Sequence, residues 1–195
     1  MDEQLDDSIK RVQAGDAQQY AFIVGAFQRP IFVYCWRMLG SRQEAEDAVQ
    51  DILVRAFEKI HMYKPRVSFS SWLYKIAYHH CLNLIRSRKR QQRLRLGLFR
   101  QNLTADSPAQ AMERRLFSEP LSKALERLTA EERNLLVLRV FEEKPFGEIG
   151  EILNKSPDAV KKKFGRTKMK LQKSMSQLKE EEACMSCNGL LKTKI

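Results

Sequence analysis

No apolar run in the 195 residues approaches the roughly 18 needed to cross a bilayer, which excludes a membrane-spanning helix of the ordinary kind. Glycine (8) and proline (6) are scarce, so the chain is neither low-complexity nor loop-dominated, and no glycine-rich phosphate loop or G-x-S-x-G elbow is present. The 4 cysteines, Cys35, Cys81, Cys184 and Cys187, are too few and too scattered for a secreted disulfide scaffold. Reduced thiols and a cytoplasmic protein are expected, and four acids among the first seven residues oppose a secretion signal. Of the 3 histidines, His79 and His80 are adjacent and point about 100° apart on a helix, so they do not share a metal. The remaining metal-like spacing, Cys184-x-x-Cys187, is half a zinc site without a second ligand pair and is kept only as a candidate. With no catalytic constellation in view, neither enzymatic activity nor a cofactor is expected.

The most informative absence is of acidic residues: residues 61–100 hold none, beside 10 Lys and Arg. Residues 1–60 hold 7 basic and 10 acidic residues, 101–140 balance at 6 and 6, and 141–195 carry 12 basic against 8 acidic. The net charge of +11 therefore sits in two separated basic sections. A membrane-surface protein concentrates its cations on one amphipathic helix, whereas two separated contacts suit a long polyanion such as DNA.

Apolar periodicity predicts helices throughout and no strand. A short opening helix ends near Gly15, and Asp16 with Gln19 has the form of a capping box for a second helix carrying Tyr20, Ile23, Val24 and Phe27 inward. Pro30 is expected to open a third helix, through Ile31, Tyr34, Cys35, Met38 and Leu39 to Gly40. Ser41 and Glu44 cap a fourth, whose Ala45, Ala48, Val49, Ile52, Leu53, Ala56 and Phe57 form a full apolar stripe, leaving Glu46, Asp47, Gln50 and Asp51 on the other side. Ser71 is expected to cap a fifth helix with Trp72, Leu73, Ile76, Ala77, Cys81, Leu84 and Ile85 inward, and Lys75, Tyr78, His79, Asn83 and Arg86 outward. The period fails from about Arg88 to Ser118, which predicts a linker. Beyond it come a helix near 120–128, a Thr129/Glu132 capping box, a helix bearing Leu135, Leu136, Leu138 and Phe141, and a short helix 146–153. Ser156 and Pro157 then start a long basic helix with Val160, Phe164, Thr167 and Leu171 inward. Two helices joined by about three residues, the second basic, form a helix-turn-helix pattern.

In the acid-free section, Tyr63, Phe69, Trp72, Tyr74 and Tyr78 alternate with Lys64, Arg66, Lys75 and Arg86. Rings stack on bases while cations hold phosphates, so this composition suits unpaired DNA, the alternative being a core with a solvated cationic face. On the last helix, Ser156, Asp158, Ala159, Lys161, Lys162 and Arg166 stand where a recognition helix meets the major groove. The acidic face Glu46, Asp47, Gln50 and Asp51 reads as a solvated surface or a protein-binding one, since it repels DNA.

The segments AEDAVQD, FSSWLYKIAYHHCLNLIRSRKR, LTAEERNLLVLRVFEEKPFGEIGEIL and SPDAVKKKFGRTKMKL follow one another in an order that closely resembles the extracytoplasmic-function (ECF) group of bacterial RNA polymerase sigma factors. The resemblance implies an all-α chain: region 2 over 1–90, a linker over 91–118, a region 4 helix-turn-helix over 119–180, and a cysteine-containing tail over 181–195. It also implies that Glu46, Asp47, Gln50 and Asp51 dock on core RNA polymerase. Tyr63, Lys64, Arg66, Ser70, Trp72, Lys75, Tyr78, His79, Asn83 and Arg86 would engage and open the −10 element around a flipped base, and the helix from Ser156 would read the −35 element. His79 and Asn83 stand where the family commonly has Asn and Asp, so the preferred −10 bases are left open. An anti-sigma partner, holding the cytoplasmic chain near the membrane, is the further implication. The alternative is a free-standing dimeric helix-turn-helix regulator acting on a palindromic operator without polymerase.

Overall fold

The computed structural model describes residues 2–98 and 119–191. The helices are α1 (Asp2–Gln13), α2 (Tyr20–Leu39), α3 (Arg42–Lys59), α4 (Phe69–Leu98), α5 (Glu119–Glu126), α6 (Ala130–Leu136), α7 (Phe146–Leu153) and α8 (Pro157–Leu191). Short 3₁₀ turns cover Ala17–Gln19 and Ile60–Met62, and α6 runs on through a π-helical stretch, Val137–Phe141. No strand occurs among the described residues, in agreement with the all-α reading.

The first unit is built on the stripe that periodicity foresaw. Ala45, Ala48, Val49, Ile52, Leu53 and Ala56 of α3 are buried against Ile23, Ile31, Tyr34, Cys35 and Met38 of α2 and Leu73, Ala77 and Cys81 of α4. Each large aliphatic side chain so buried contributes about 1.5–3 kcal/mol, which is what holds these helices at their crossings. Ser41 caps α3 through its Oγ, which accepts from the Glu44 N–H at 3.3 Å. Gly40, at φ 75°, ends α2 in the left-handed conformation that a side chain resists.

Four local expectations are corrected. Pro30 lies inside α2 instead of opening a helix. Its ring is on the exposed side, as is Ala26, whose freed carbonyl water satisfies, while Ile23 and Ile31 on either side are fully buried and keep one helix. Asp16 makes no cap; its carboxylate is taken by Arg11 at 2.7 Å. Ser68, not Ser71, caps α4, with its Oγ accepting from the Ser71 N–H at 3.1 Å. Finally, α4 runs to Leu98, through the start of the expected linker. Arg, Lys, Gln and Leu all favour helix, and a helix already nucleated by a packed first half propagates through them without an apolar stripe. The rest of that linker, residues 99–118, lies outside the described residues.

The second unit follows the sequence reading closely. Thr129 Oγ1 accepts from the Glu132 N–H at 3.2 Å, and the Glu132 carboxylate accepts from the Thr129 N–H at 2.8 Å, completing the capping box. Between α7 and α8, Asn154 takes a left-handed φ of 53°, the Lys155 N–H returns to the Gly150 carbonyl at 2.9 Å, and Ser156 Oγ accepts from the Ala159 N–H at 3.3 Å. Gly150 makes this turn possible, because a Cβ there would stand 2.5 Å from the Lys155 carbonyl oxygen. Val160 and Thr167 face inward with Leu135, Leu138, Ile149 and Ile152. The buried cluster is continuous between the units, so α6 and α7 rest on α2 and α4.

The two glycines of the helix-turn-helix separate by environment. Gly150→Ala is expected to cost about 1–3 kcal/mol through overpacking against backbone. Gly165→Ala, with open space around its Cβ position, is expected to add about 1 kcal/mol of helix propensity. Urea unfolding of the two variants beside the wild type checks the opposite signs.

Candidate nucleic-acid and protein interfaces

Glu46, Asp47, Gln50 and Asp51 are all exposed, because they occupy the side of α3 opposite its apolar stripe. Glu46 pairs with Arg42 at 2.9 Å, and Asp51 lies 3.8 Å from His80 Nε2 of α4. His80 is buried, and burial first, then Arg55, pushes its pKa below the ordinary value against the opposing pull of Asp51. The imidazole is thus held neutral, which leaves the acidic face uncompensated there. Beside this face, Tyr20, Val24, Val49, Leu53, Val54 and Phe57 line an apolar groove between α2 and α3. Phe57, expected inward, is 40% exposed on the groove with its ring 4.9 Å from that of Tyr20. The Tyr20 hydroxyl donates to the Leu53 carbonyl at 2.6 Å, and burial pushes its pKa up to about 12.

The acid-free section forms a second surface. Gln13 Nε2 donates to the carbonyls of Ile60 and Tyr63 at 2.8 and 3.0 Å, so α1 props the loop that carries Tyr63, Lys64 and Arg66. The Tyr63, Phe69 and Trp72 rings contact one another with centroids 5.2–5.5 Å apart. Lys64 and Arg66 are exposed, Trp72 is half-buried, and Tyr63 is 8% exposed with its hydroxyl donating to the Val67 carbonyl at 3.0 Å. A cleft of about 480 Å³ opens here, lined by Asp6, Tyr63, Arg66, Phe69 and Ser70 and, from α7, by Glu148 and Glu151. Further along α4, His79, Asn83 and Arg86 are exposed, as expected.

Three residues assigned to that exposed surface meet the second unit instead. Tyr78 is buried, a correction to its expected outward position; burial first, then Glu131, raises its pKa, with Lys155 and Arg86 opposing. Lys75 Nζ donates to Asn154 Oδ1 at 2.7 Å, and Ser70 Oγ accepts from Lys144 Nζ at 3.0 Å. Sequence reasoning missed the residues that make this junction: Tyr34, Arg37, Tyr74, Asn134, Glu142 and Glu148. Their hydrogen bonds span 68 to 105 positions of sequence, beyond the reach of any local pattern.

On α8, Ser156, Asp158, Ala159, Lys161, Lys162 and Arg166 are all exposed on one side, while Val160 and Thr167 are buried on the other. Glu131 of α6 pairs with Lys155 and, at 2.6 Å, with Lys163, and Glu132 pairs with Lys170 at 2.8 Å. These ties fix the rotation of α8. Cys184 and Cys187 fall on the last turns of α8, with side chains outside the described residues. Among the described residues no cluster of metal-ligating side chains and no helix long and apolar enough to cross a membrane is found.

A helical unit with an acidic helix and an aromatic, cationic one, followed by a helix-turn-helix, defines the sigma-70 class of transcription initiation proteins. The Sigma-70 region 2 family matches residues 23–91 and the Sigma-70, region 4 family residues 118–171. The chain is 31% identical over 188 residues to the ECF RNA polymerase sigma factor SigW of Bacillus subtilis (strain 168), covering 91% of this chain and 100% of that protein. It is also 31% identical over 160 residues to RNA polymerase sigma factor YlaC of the same strain, covering 80% and 91%. Its fold is similar to that of CnrH in complex with the cytosolic domain of CnrY, at a TM-score of 0.65 and 20% identity over 87% of this chain and 96% of that one. The sigma factor RpoE of Bartonella quintana, in complex with the anti-sigma factor NepR, gives 0.63 and 21% over 82% and 98%. The chain belongs to the ECF family of RNA polymerase sigma factors, non-catalytic subunits for promoter recognition and initiation. The free-standing regulator reading is thereby set aside.

For Glu131 and Glu132, burial alone raises the carboxyl pKa, but bonds from Lys155 and Lys163, and from Lys170 and Thr129, outweigh it and hold both below the ordinary 4.5. A lowered folded pKa means stability that is complete above the unfolded value and is lost as pH falls through the folded one. Unfolding midpoints in urea are expected to drop below about pH 4.5. In Glu131→Gln/Glu132→Gln that drop is shallower.

Proposed function

We propose that region 2 occupies 1–90 and region 4 occupies 119–180, and that the three surfaces divide the work of a promoter-specificity subunit. The acidic face of α3, Glu46, Asp47, Gln50 and Asp51, docks on a basic surface of core RNA polymerase. Its exposure beside an apolar groove supports this, because carboxylates there repel DNA and attract a protein of opposite charge. The loop and helix bearing Tyr63, Lys64, Arg66, Ser70, Trp72, Lys75, Tyr78, His79, Asn83 and Arg86 hold the single-stranded −10 element. The cleft beside Tyr63 and Arg66 accepts a flipped base, and stacking worth about 1–3 kcal/mol per base offsets the cost of unpairing.

The observation that carries the reading is the one-sided exposure of α8. Six polar or small residues, Ser156, Asp158, Ala159, Lys161, Lys162 and Arg166, face solvent from a helix whose opposite side is anchored, the presentation that a major-groove recognition helix needs at the −35 element. The lysines grip phosphate, while Ser156, Asp158 and Arg166 reach base edges. An anti-sigma factor is the second partner, supported by the apolar groove and by the two similar folds, each solved with such a partner or its cytosolic domain. The chain works in the cytoplasm, near the membrane when that partner holds it there.

Run-off transcription with sigma-free core polymerase on a promoter library tests the assignment, with specific transcripts expected only when the chain is added. Asp47→Arg/Asp51→Arg is expected to abolish those transcripts and polymerase binding with helicity unchanged by circular dichroism; intact binding refutes the docking face. In holoenzyme, Lys161→Ala is expected to weaken −35 duplex binding across sequences and to reduce the salt slope by about one. A loss confined to particular sequences would contradict the phosphate role.

A further inference from the structure

The surface assigned to the −10 strand and the surface assigned to the −35 duplex are not equally available in this structure. Every assigned residue of α8 is exposed. The −10 surface, in contrast, is partly covered by residues 142–154 of region 4. Lys144 Nζ donates to Ser70 Oγ at 3.0 Å and to Glu148 Oε2 at 2.9 Å, and Ser71 Oγ donates to the same carboxylate at 3.2 Å. Lys75 is occupied by Asn154, and Tyr78 is buried. Glu148 and Glu151 wall the cleft that Tyr63, Arg66, Phe69 and Ser70 form. Carboxylates therefore stand beside the donors and rings that a phosphate backbone and an unpaired base require, and a nucleic acid strand cannot share that space or that charge.

The covering segment is held at its N-terminal end by one carboxylate. Glu142 accepts from Arg37 at 2.9 Å and from the Tyr74 hydroxyl at 2.6 Å, and Asn134 Oδ1 accepts from the Tyr34 hydroxyl at 2.6 Å. Arg37 also lies over the Phe141 ring at 4.6 Å. These contacts are hydrogen bonds and an ion pair more than apolar burial, and polar inter-domain contacts of this kind separate when another partner supplies their groups.

We infer that this arrangement is an autoinhibited state, in which residues 142–154 act as a built-in acidic plug of the −10 surface, latched by the Arg37–Glu142–Tyr74 contact. The inference rests on the −10 assignment above and goes beyond it: the free chain presents its duplex-reading helix while its strand-binding surface is closed. Single-stranded DNA binds only after region 4 leaves region 2, so −35 contact precedes −10 contact.

The full-length chain, Arg37→Glu, and the charge exchange Arg37→Glu/Glu142→Arg test this with two readouts, radius of gyration by small-angle X-ray scattering and anisotropy of a fluorescein-labelled random-sequence single-stranded 20-mer. Arg37→Glu sets two carboxylates against each other and is expected to expand the chain and tighten strand binding about tenfold, as follows if roughly nine-tenths of the wild type is closed. The exchange, with the wild-type net charge, is expected to restore both values. Charge alone predicts the reverse, since Arg37→Glu makes the protein less cationic. Helicity and thermal melting of each variant exclude unfolding as the source of expansion. No expansion and no gain in Arg37→Glu overturns the latch. Expansion without gain overturns the plug if Tyr63→Ala or Arg66→Ala still slows promoter opening by holoenzyme. If those variants open promoters normally, the −10 assignment itself is wrong, and the plug falls with it.

Discussion

The relation between the two halves of this protein turns on the Glu142 carboxylate. It is only 10% exposed, it accepts from Arg37 of α2 and Tyr74 of α4, and it belongs to neither helix that it joins. Burial and the adjacent carboxylate both push the Tyr74 pKa up, so the phenol stays protonated and donates. A buried ion pair of this kind adds little net stability, because desolvation offsets most of the attraction, whereas removing one partner costs about 3–5 kcal/mol. Such a contact serves better as a selector of one arrangement than as a source of cohesion.

Cohesion comes from the apolar parts, and these lie mostly within each half. In region 2 it is the α2–α3–α4 core with Ile23, Ile52 and Leu73 fully buried; in region 4 it is Leu135, Leu138, Ile149 and Val160. The division has a functional consequence. Rigid halves keep the acidic face of α3 and the exposed side of α8 in register with their own anchors, while the join between them is made of groups that water, protein or phosphate can satisfy in turn. The chain thus carries precise surfaces on units whose mutual placement is open to control.

Much of this was legible beforehand. The α3 stripe, the Thr129/Glu132 box, the Ser156–Pro157 start of α8 and the helix-turn-helix between them were readable because each rests on neighbours three or four positions apart. The acidic face of α3 and the polar side of α8 followed from the same spacing. Pro30 was misread because a proline's local preference to open a helix yielded to buried Ile23 and Ile31 on either side of it. The extent of α4 was misread because periodic burial is needed to reveal a helix but not to continue one. Tyr78 was misread because the element that covers it enters the chain fifty or more residues later.

By itself, then, the sequence determined the helices, their inward faces, the two-unit organisation and the family, since all of these depend on local spacing and on motifs in order. Only the tertiary structure decided which polar residues meet across the chain: Tyr34 with Asn134, Arg37 and Tyr74 with Glu142, Ser70 with Lys144. A hydrogen bond between side chains about 70 to 105 positions apart leaves no periodic trace. It depends on how two finished surfaces pack, and that is settled by the shape of the whole.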